Sequence, residues 1–339
     1  MWYDKPLTLI IYPRKEPIMS KNTTQNTLQK TPVVVLLALV CCFLWGSAFP
    51  SIKLGYEHFS IASGDTAAQM LFAGLRFTLA GLLVILFGSL LHKKALIPAR
   101  TSWTMVLRLS LAQTVIQYIF FYIGLANTSG VKGSIIEGSS VFMAILVSSL
   151  LFHYEKLGRW KILGCVLGFA GVILINLNGT GLGGGFTFIG DGFIALSALS
   201  SSFSHVMIKG FSQREDPVTL SGWQFFLGGL VLTAIGLLAG GRLHIVSPLS
   251  LLLLLYMSLI SAVAYTVWGI LLKHNPVSKV SIFGFMIPLF GVLLSAALLG
   301  EQNQAFTLQG LVSLVLVCLG IYIVNRDVSG EEAADKSKV

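Results

Sequence analysis

The sequence predicts an all-α integral membrane protein with ten transmembrane helices arranged as two inverted five-helix repeats. Three observations support this fold class: the composition, the number of long apolar runs, and a match between the two halves of the chain. Of the 339 residues, 55% are hydrophobic and only 11% are charged, and the mean hydropathy is +0.81. Soluble domains carry about 25% charged residues, so this chain has too little charge to cover a water-facing surface.

Ten apolar stretches are long enough to cross a bilayer, which takes about 20 residues of helix. Because lipid offers the backbone no hydrogen-bond partners, we expect each stretch to be helical. The sixth is the least apolar, since it is rich in serine. The predicted spans are residues 33–52, 68–91, 104–125, 133–152, 160–177, 190–209, 219–239, 249–272, 280–299 and 306–325.

Lysine and arginine lie almost entirely on one side of this arrangement. With the N-terminus in the cytoplasm, only Lys53, Lys132 and Arg242 fall outside, Arg76 falls within a span, and the others lie on the cytoplasmic side. Cytoplasmic loops of membrane proteins are enriched in these residues. The pattern predicts a multi-pass protein of the bacterial cytoplasmic (inner) membrane with both termini in the cytoplasm.

The two halves of the chain match each other. TSGVKGSI at 128–135 aligns with NPVSKVSI at 275–282, so that Lys132 corresponds to Lys279, and GVILIN at 171–176 aligns with GIYIVN at 320–325. Since each half has five spans, the second half starts on the opposite side of the membrane, a plan common among secondary transporters. The predicted segments are a cytoplasmic N-terminal segment (1–32), a first repeat (33–177), a glycine-rich outer linker (178–189), a second repeat (190–325) and a cytoplasmic tail (326–339).

Other local patterns point to no cofactor. The linker contains GxGxxG at Gly179, Gly181 and Gly184, but this motif binds dinucleotides only between a strand and a helix, so we expect a flexible connector. The four cysteines lie in apolar stretches without CxxC spacing, which predicts no metal or disulfide role. The net charge of +9 fits basic cytoplasmic loops better than nucleic-acid binding. The segment before Met19 has no clear structural pattern, so we expect Met19 to be the true first residue of the protein.

Several of these segments resemble a known family. SKVSIFGFMIPLFGVLLSAALLGEQ (278–302) resembles the ninth helix of EamA-type drug/metabolite transporters, and FLWGSAFPSIK (43–53) resembles their first. GLRFTLAGLLVIL (74–86) is similar to their second helix, and GDGFIALSALSSSFSHVMIK (190–209) to their sixth. The resemblance covers about residues 33–325 and implies ten helices in two EamA repeats, metabolite transport or export, and no catalytic chemistry. The chain departs from the family pattern at Val141, usually proline, and at HYEKL, which usually has a glycine before the glutamate.

Polar side chains inside spans are costly and are therefore candidates for a substrate cavity. Glu137, in the fourth span, would bind a cationic substrate group or carry a proton; the alternative is a pair with Lys132 or a bond to a neighbouring helix. His205, in the sixth span, is a proton-relay candidate or a hydrogen-bonded packing residue. Helical spacing places three cavity-lining candidates on one face of the third span: Gln113, Gln117 and Tyr118.

Aromatic residues supply a further set of candidates. An apolar cavity wall is predicted from Trp45, Trp223, Tyr265 and Trp268. The alternative is an interfacial aromatic belt, which Trp103 and Trp160 fit better.

Arg76 occupies a position at which the family commonly has arginine, and we expect a structural ion pair or helix anchor there rather than a substrate contact.

Three residues are expected to have structural or hinge roles. Pro288 removes one backbone hydrogen bond within the ninth span and should bend it. Its counterpart Val141 predicts no such weak point in the fourth span. Glu301 closes the ninth span at the membrane boundary, and Glu155 holds the equivalent place in the first half.

Together these features predict a secondary transporter that moves a small organic metabolite by alternating access, with binding near the midplane between the halves. By resemblance, the expected cargo is an amino acid or related compound and the expected direction is export. The expected partners are a small-molecule substrate and the lipid bilayer, with a homodimer left open. The alternatives are a membrane-embedded enzyme, which would need a coherent catalytic constellation, and a receptor or scaffold, which would need larger loops.

Overall fold

Ten long helices dominate the computed structural model, which describes residues 28–152, 157–177, 185–275, 280 and 282–336. Within these residues they are α1 (Thr31–His58), α2 (Thr66–His92), α3 (Arg100–Ala126), α4 (Gly130–Leu151), α5 (Arg159–Asn176), α6 (Phe193–Phe211), α7 (Pro217–Leu238), α8 (Pro248–His274), α9 (Met286–Leu299) and α10 (Leu308–Lys336). Each predicted span coincides closely with one of these helices. The predicted all-α fold class is confirmed.

Eight of the helices in the described part of the chain are long and apolar enough to cross a membrane. The two others are α6 and α9. The apolar helix containing α9 is shorter, Phe283–Leu299. Serine lowers the hydropathy of α6, as expected for the weakest predicted span, and most of its serines are buried inside the bundle rather than turned to lipid.

The connections lie at two ends of the bundle, which we name after the predicted orientation. Helices that begin at these ends have N-cap residues: Asp65 accepts a hydrogen bond from the Ala68 N–H at 2.9 Å, and Ser129 accepts one from the Lys132 N–H at 3.1 Å. The outer end comprises residues 59–65, 127–129, 185–187, 239–247 and 300–307. The inner end comprises residues 93–99, 157–158 and 212–216.

Helix packing follows the symmetry of an inverted repeat. Corresponding helices of the two halves pack against each other in the pairs α2 with α7, α4 with α9, and α5 with α10. The first helix of each half packs against the third and fourth helices of the other half: α1 contacts α8 and α9, and α6 contacts α3 and α4. The two halves are therefore interlocked around α1 and α6, which places the interior of the bundle between the repeats.

Glycine allows α2 and α7 to approach closely. A Cβ atom at Gly74 or Gly81 would overlap the backbone of α7, and one at Gly229 or Gly236 would overlap the backbone of α2. Small residues are the usual means of close helix contact in membranes. The same spacing recurs in both helices: GLRFTLAG at 74–81 aligns with GWQFFLGG at 222–229, a repeat match that the sequence analysis missed.

Two helices of the first repeat are irregular near the middle of the bundle. In α3, a π-helical segment at Ser110–Ile116 separates two α-helical parts. In α4, the α-helix Gly130–Glu137 stops at Gly138 and Ser139 before the chain resumes as Ser140–Leu146. The expectation that α4 lacks a weak point was wrong. Glycine and serine favour the helix less than most residues, so a break forms without proline.

The second repeat is interrupted at a different place than predicted. A 3₁₀ turn at Ile282–Phe285 leads into α9, and Pro288 lies in the first turn of that α-helix. Proline is tolerated there, because the first N–H groups of a helix have no intrahelical acceptor. The proline inside a continuous helix is Pro50, in α1.

Some of the predicted features lie outside the described residues. They are Met19, Glu155, Lys279 and the linker residues 178–184.

Candidate functional site

Four of the predicted aromatic and cavity residues come together in the interior, and we call them the aromatic wall: Trp45, Tyr118, Tyr265 and Trp268. The Trp45 ring lies 5.3 Å from the Tyr265 ring and 5.2 Å from the Trp268 ring, centroid to centroid. The side chains of Tyr118 and Tyr265 are also in contact. These residues come from α1, α3 and α8, so the wall joins both repeats.

The structure places Trp223 elsewhere. Its indole Nε1 donates a hydrogen bond to the Leu96 carbonyl oxygen at 2.7 Å, and its ring stacks edge-on against Trp103 at 5.1 Å. It lies in the part of α7 nearest the inner end, because α7 starts there at Pro217. Trp223 therefore anchors the loop between α2 and α3 and is not part of the aromatic wall.

A second group of interior residues is polar, and we call it the polar layer: Gln113, Gln117, Glu137 and Ser197. Helices α3 and α6 run antiparallel, since Gly124 packs on Ile194 while Ser200 donates to the Ala112 carbonyl oxygen. This register brings Gln117 to the level of Ser197. The Glu137 carboxylate lies beside the Ser197 hydroxyl and within electrostatic range of Tyr265, so the layer adjoins the aromatic wall.

The polar layer has unused hydrogen-bonding capacity. Among the described residues, Glu137 Oε2, Gln117 Oε1 and both amide atoms of Gln113 are buried without a hydrogen-bond partner. Leaving such groups unpaired costs about 1–3 kcal/mol each, and more for charged groups. A polar ligand or water at this level would remove that cost.

Local backbone irregularity presents three of these side chains. Glu137 is the last residue before the break in α4. Gln113 lies within the π-helical segment of α3 and Gln117 directly follows it. π-Helical turns and broken membrane helices occur frequently at functional sites, which fits the position of the polar layer.

The ion pair between Glu137 and Lys132, one of the alternatives from the sequence, is not formed. The Lys132 ammonium instead lies 2.6 Å from Asp191 Oδ2. No ion pair of Glu137 is found in the described part of the chain, so the pairing alternative for this residue was wrong. Its proximity to Ser197 leaves the packing alternative and the functional one open.

Arg76 forms hydrogen bonds with two neighbouring helices. It is buried, and its guanidinium donates to the Met257 carbonyl oxygen at 3.2 Å, the Tyr122 hydroxyl at 2.8 Å and the Ser261 hydroxyl at 3.3 Å. These contacts tie α2 to α3 and α8. Each of these acceptors is neutral.

The repeat counterpart of Arg76 is a residue that the sequence analysis missed. The alignment of GLRFTLAG with GWQFFLGG places Gln224 opposite Arg76. Gln224 is buried, its Oε1 accepts a hydrogen bond from the Thr114 hydroxyl at 2.6 Å, and its Nε2 has no partner within the described residues. The repeat match between α2 and α7 was the signal that could have identified it.

His205 lies on the interior face of α6 but is exposed. Ile194, Ala198 and Ser201 share its helical stripe and are buried. An exposed side chain in line with buried ones indicates open space inside the bundle near its inner end. Ser197 of the polar layer lies about 12 Å further along the same helix, at the helical rise per residue.

Glu301 caps another helix. Its carboxylate oxygens accept hydrogen bonds from the Gly130 N–H at 3.0 Å and the Val131 N–H at 2.8 Å, in the first turn of α4. A carboxylate is favourable at this position because the N-terminus of a helix carries partial positive charge. The two repeats are thus joined at the outer end.

Interlocked inverted repeats with polar groups near their centre are a plan common among secondary transporters. The model of the EamA-like transporter family matches residues 32–177 and 188–326, once for each repeat. The chain therefore belongs to the EamA-like transporter family, which is a family of transporters and not of enzymes.

Individual relatives agree with this assignment. The chain is 28% identical over 311 residues to the uncharacterized transporter YvbV of Bacillus subtilis, covering 91% of this chain and 96% of that one. It is 29% identical over 293 residues to the WAT1-related protein At3g02690, chloroplastic, of Arabidopsis thaliana, covering 84% of this chain and 67% of that one. It is 26% identical over 306 residues to a probable amino-acid metabolite efflux pump of Salmonella typhimurium, covering 85% of this chain and 93% of that one.

A solved structure shares the fold. A crystal structure matches 87% of this chain and 98% of its own chain with a TM-score of 0.62, at 17% sequence identity. The likeness supports the arrangement of helices described above.

Proposed function

We propose that this member of the family is a secondary transporter that exports a small organic metabolite, an amino acid or a related compound, by alternating access. Family membership supports the transport activity, and the name of the Salmonella relative favours the cargo class and the direction. The asymmetry of Lys and Arg between the loops favours a location in the bacterial cytoplasmic membrane with both termini in the cytoplasm. A homodimer stays a prediction, to be tested by light scattering on the detergent-purified chain.

The polar layer is the proposed binding site, and the observation that carries it is the buried, unpartnered Oε2 of Glu137. A carboxylate at this position would bind the ammonium group of a substrate or exchange a proton during transport. The amides of Gln113 and Gln117 can both donate and accept hydrogen bonds, which suits the polar groups of a small metabolite.

The aromatic wall would hold the remainder of the substrate. Aromatic rings attract cations over their faces and pack against apolar groups. Substrate would enter through the open space beside His205, since this space begins near the inner end. This route agrees with export, because the inner end is the predicted cytoplasmic side.

The test is transport by the purified chain in proteoliposomes loaded with labelled amino acids and related amines. Glu137→Gln keeps the size and hydrogen bonding of the side chain but removes its charge. If the carboxylate binds substrate or carries protons, this variant will be produced normally and will lose transport, or the dependence of transport on pH. Glu57→Gln, which removes an exposed carboxylate of α1, is the matched control.

The packing alternative predicts a different outcome. If Glu137 only joins helices, Glu137→Gln will transport normally between pH 5 and 8, while Glu137→Ala will reduce the yield of folded protein. Wild-type transport by the Gln variant across that range would rule out the proposed role of Glu137.

A further inference from the structure

The outer end of the bundle is closed by charged contacts between the two repeats. Lys132, near the start of α4, forms an ion pair with Asp191, just before α6, at 2.6 Å. Asp191 also accepts hydrogen bonds from the Thr128 hydroxyl at 2.6 Å and the Thr187 N–H at 2.8 Å. Both charged side chains are nearly inaccessible, with 5% and 1% of their surfaces exposed. This ion pair is therefore desolvated and supported by further hydrogen bonds.

Further contacts join the same point to α1 and α9. Lys53 of α1 donates to the carbonyl oxygens of Leu125 and Thr128, beside the start of α4. Glu301, just after α9, caps the first turn of α4 with both carboxylate oxygens. The start of α4 is thus held by three helices at once. We call this set the outer latch: Lys53, Thr128, Lys132, Asp191 and Glu301.

The repeat-related position at the inner end has a different composition. The counterpart of Lys132 is Lys279, and the counterpart of α6 as the first helix of its repeat is α1. Helix α1 contains no Asp or Glu before Glu57, which lies at the opposite end of the helix. The carboxylate that Asp191 contributes at the outer end therefore has no equivalent in α1 at the inner end.

Interior-facing residues differ in exposure between the two ends. His205 is exposed on the interior face of α6 near the inner end, whereas Lys132 and Asp191 are buried at the outer end. A buried ion pair contributes little net stability compared with apolar packing, but breaking it by removing one partner is costly. Such a pair is well suited to specify one conformation over another.

We infer that the outer latch is the gate that holds the transporter closed on its outer side, and that its ion pair must separate before the bundle can open outwards. Because the inner end lacks the matching carboxylate in α1, the latch makes the inward-open arrangement the resting state. In the resting state the proposed binding site is therefore accessible to substrate from the inner end. This inference rests on the proposed alternating-access function, and it identifies the outer latch as the element that favours the inward-open conformation over the outward-open one.

The experiment measures accessibility and uses no substrate, so its result is independent of whether the proposed cargo is correct. In the full chain with its four native cysteines replaced, Ser134→Cys is the outer reporter and His205→Cys is the inner reporter. Ser134 is buried just below the latch, where it packs against Gly291 of α9. Each reporter is labelled in membrane vesicles with a membrane-impermeant maleimide applied separately to the two sides.

Lys132→Gln/Asp191→Asn removes both charges together and so leaves neither one buried alone. With the latch intact, the outer reporter should be protected from the outside. In the double variant its labelling from the outside should rise by about tenfold, in proportion to a tenfold shift of the equilibrium between the two conformations, and labelling of the inner reporter from the inside should fall. The charge exchange Lys132→Asp/Asp191→Lys should restore protection, and Arg242→Gln, an exposed outer-end charge outside the latch, should change nothing.

Two results would overturn the inference. Unchanged labelling of both reporters in the double variant would show that the ion pair does not control opening. A rise at both reporters together would show that it merely holds the fold. Should the double variant fail to insert, Glu301→Gln tests the same latch through the cap of α4, with the same expected rise at the outer reporter and the same two contrary outcomes.

Discussion

The pair α2 and α7 and the pair α4 and α9 are both related by the internal repeat, yet they differ in what the repeat has kept. In α2 and α7 the glycines recur at matching positions, and Phe77 stacks on its counterpart Phe225 at 5.5 Å. In α4 and α9, Glu137 corresponds to Gly284, and the two helices are interrupted in different ways. The scaffold of the transporter is duplicated, whereas its polar chemistry is not.

This difference follows from what each position must do. Close packing between two helices is a mutual requirement, so both partners need small residues. A buried charge need not occur twice, since a second one would carry its own desolvation cost. Duplication therefore preserves the packing surface and leaves the polar layer, the proposed binding site, free to become asymmetric.

The largest expected effect concerns the glycine contacts. Gly81→Ala and Gly229→Ala each add a Cβ atom that overlaps the partner backbone, so each should destabilise the protein by about 3 kcal/mol or more, above the usual range for overpacking. The two variants should be equally affected, because the contact is symmetric. The measurement is the fraction of monodisperse protein that remains after heating in detergent.

The control for this prediction is Gly64→Ala, at a position where no described atom would meet the new Cβ within 4 Å. It should behave like the wild type. A clear difference between Gly81→Ala and Gly229→Ala would contradict the equivalence of the two helices.

The next effect separates Arg76 from its counterpart Gln224. Arg76→Gln keeps an amide that can still donate but is shorter, so it would leave at least one of Tyr122, Ser261 and the Met257 carbonyl oxygen without a donor, at a cost of about 1–3 kcal/mol. Gln224→Ala should cost less, because only its bond with Thr114 is lost. Thermal unfolding of both variants in detergent would test this order, and an equal or reversed order would count against an anchoring role for Arg76.

A smaller effect is expected at Pro288. Since this residue lies in the first turn of α9, its missing N–H leaves no intrahelical bond unmade, and Pro288→Ala should insert and fold normally. Transport should slow by less than about tenfold, because the junction with the 3₁₀ turn remains. Pro50→Ala, inside α1, should alter transport more, since it restores a hydrogen bond to a continuous helix. A larger effect at Pro288 than at Pro50 would reverse this assignment.

The smallest effect concerns Glu215, which joins the two repeats at the inner end. Burial acts to raise the pKa of this carboxyl, but hydrogen bonds from the Ala99 N–H, Ser102 and the Asp216 N–H, together with the charge of Lys94, lower it overall. A lowered pKa contributes stability above its ordinary value of 4.5, and this contribution is lost as the pH falls through the folded-state value. Glu215→Gln should therefore be slightly less stable than the wild type at pH 7, and the difference in melting temperature should shrink towards pH 4. A difference that does not change with pH would exclude the charge as its cause.

The sequence by itself determined that this chain crosses a membrane through helices arranged in two related halves. Apolar runs of the required length allow no other backbone arrangement in lipid, and the match of 128–135 with 275–282 depends only on residue order. It also identified Glu137 as a costly buried charge and the residues of the aromatic wall as candidates, because their composition and position within spans are local properties. Gln224 was readable from the match of α2 with α7 but was missed.

Only the tertiary structure decided which of these candidates meet. Trp223 and Trp45 are equivalent by composition, yet α7 carries Trp223 to the inner end and α1 carries Trp45 to the centre. Lys132 is close to Glu137 in sequence but pairs with Asp191, because the start of α6 packs beside the start of α4. Contacts between distant segments are set by helix packing, which residue order alone does not specify.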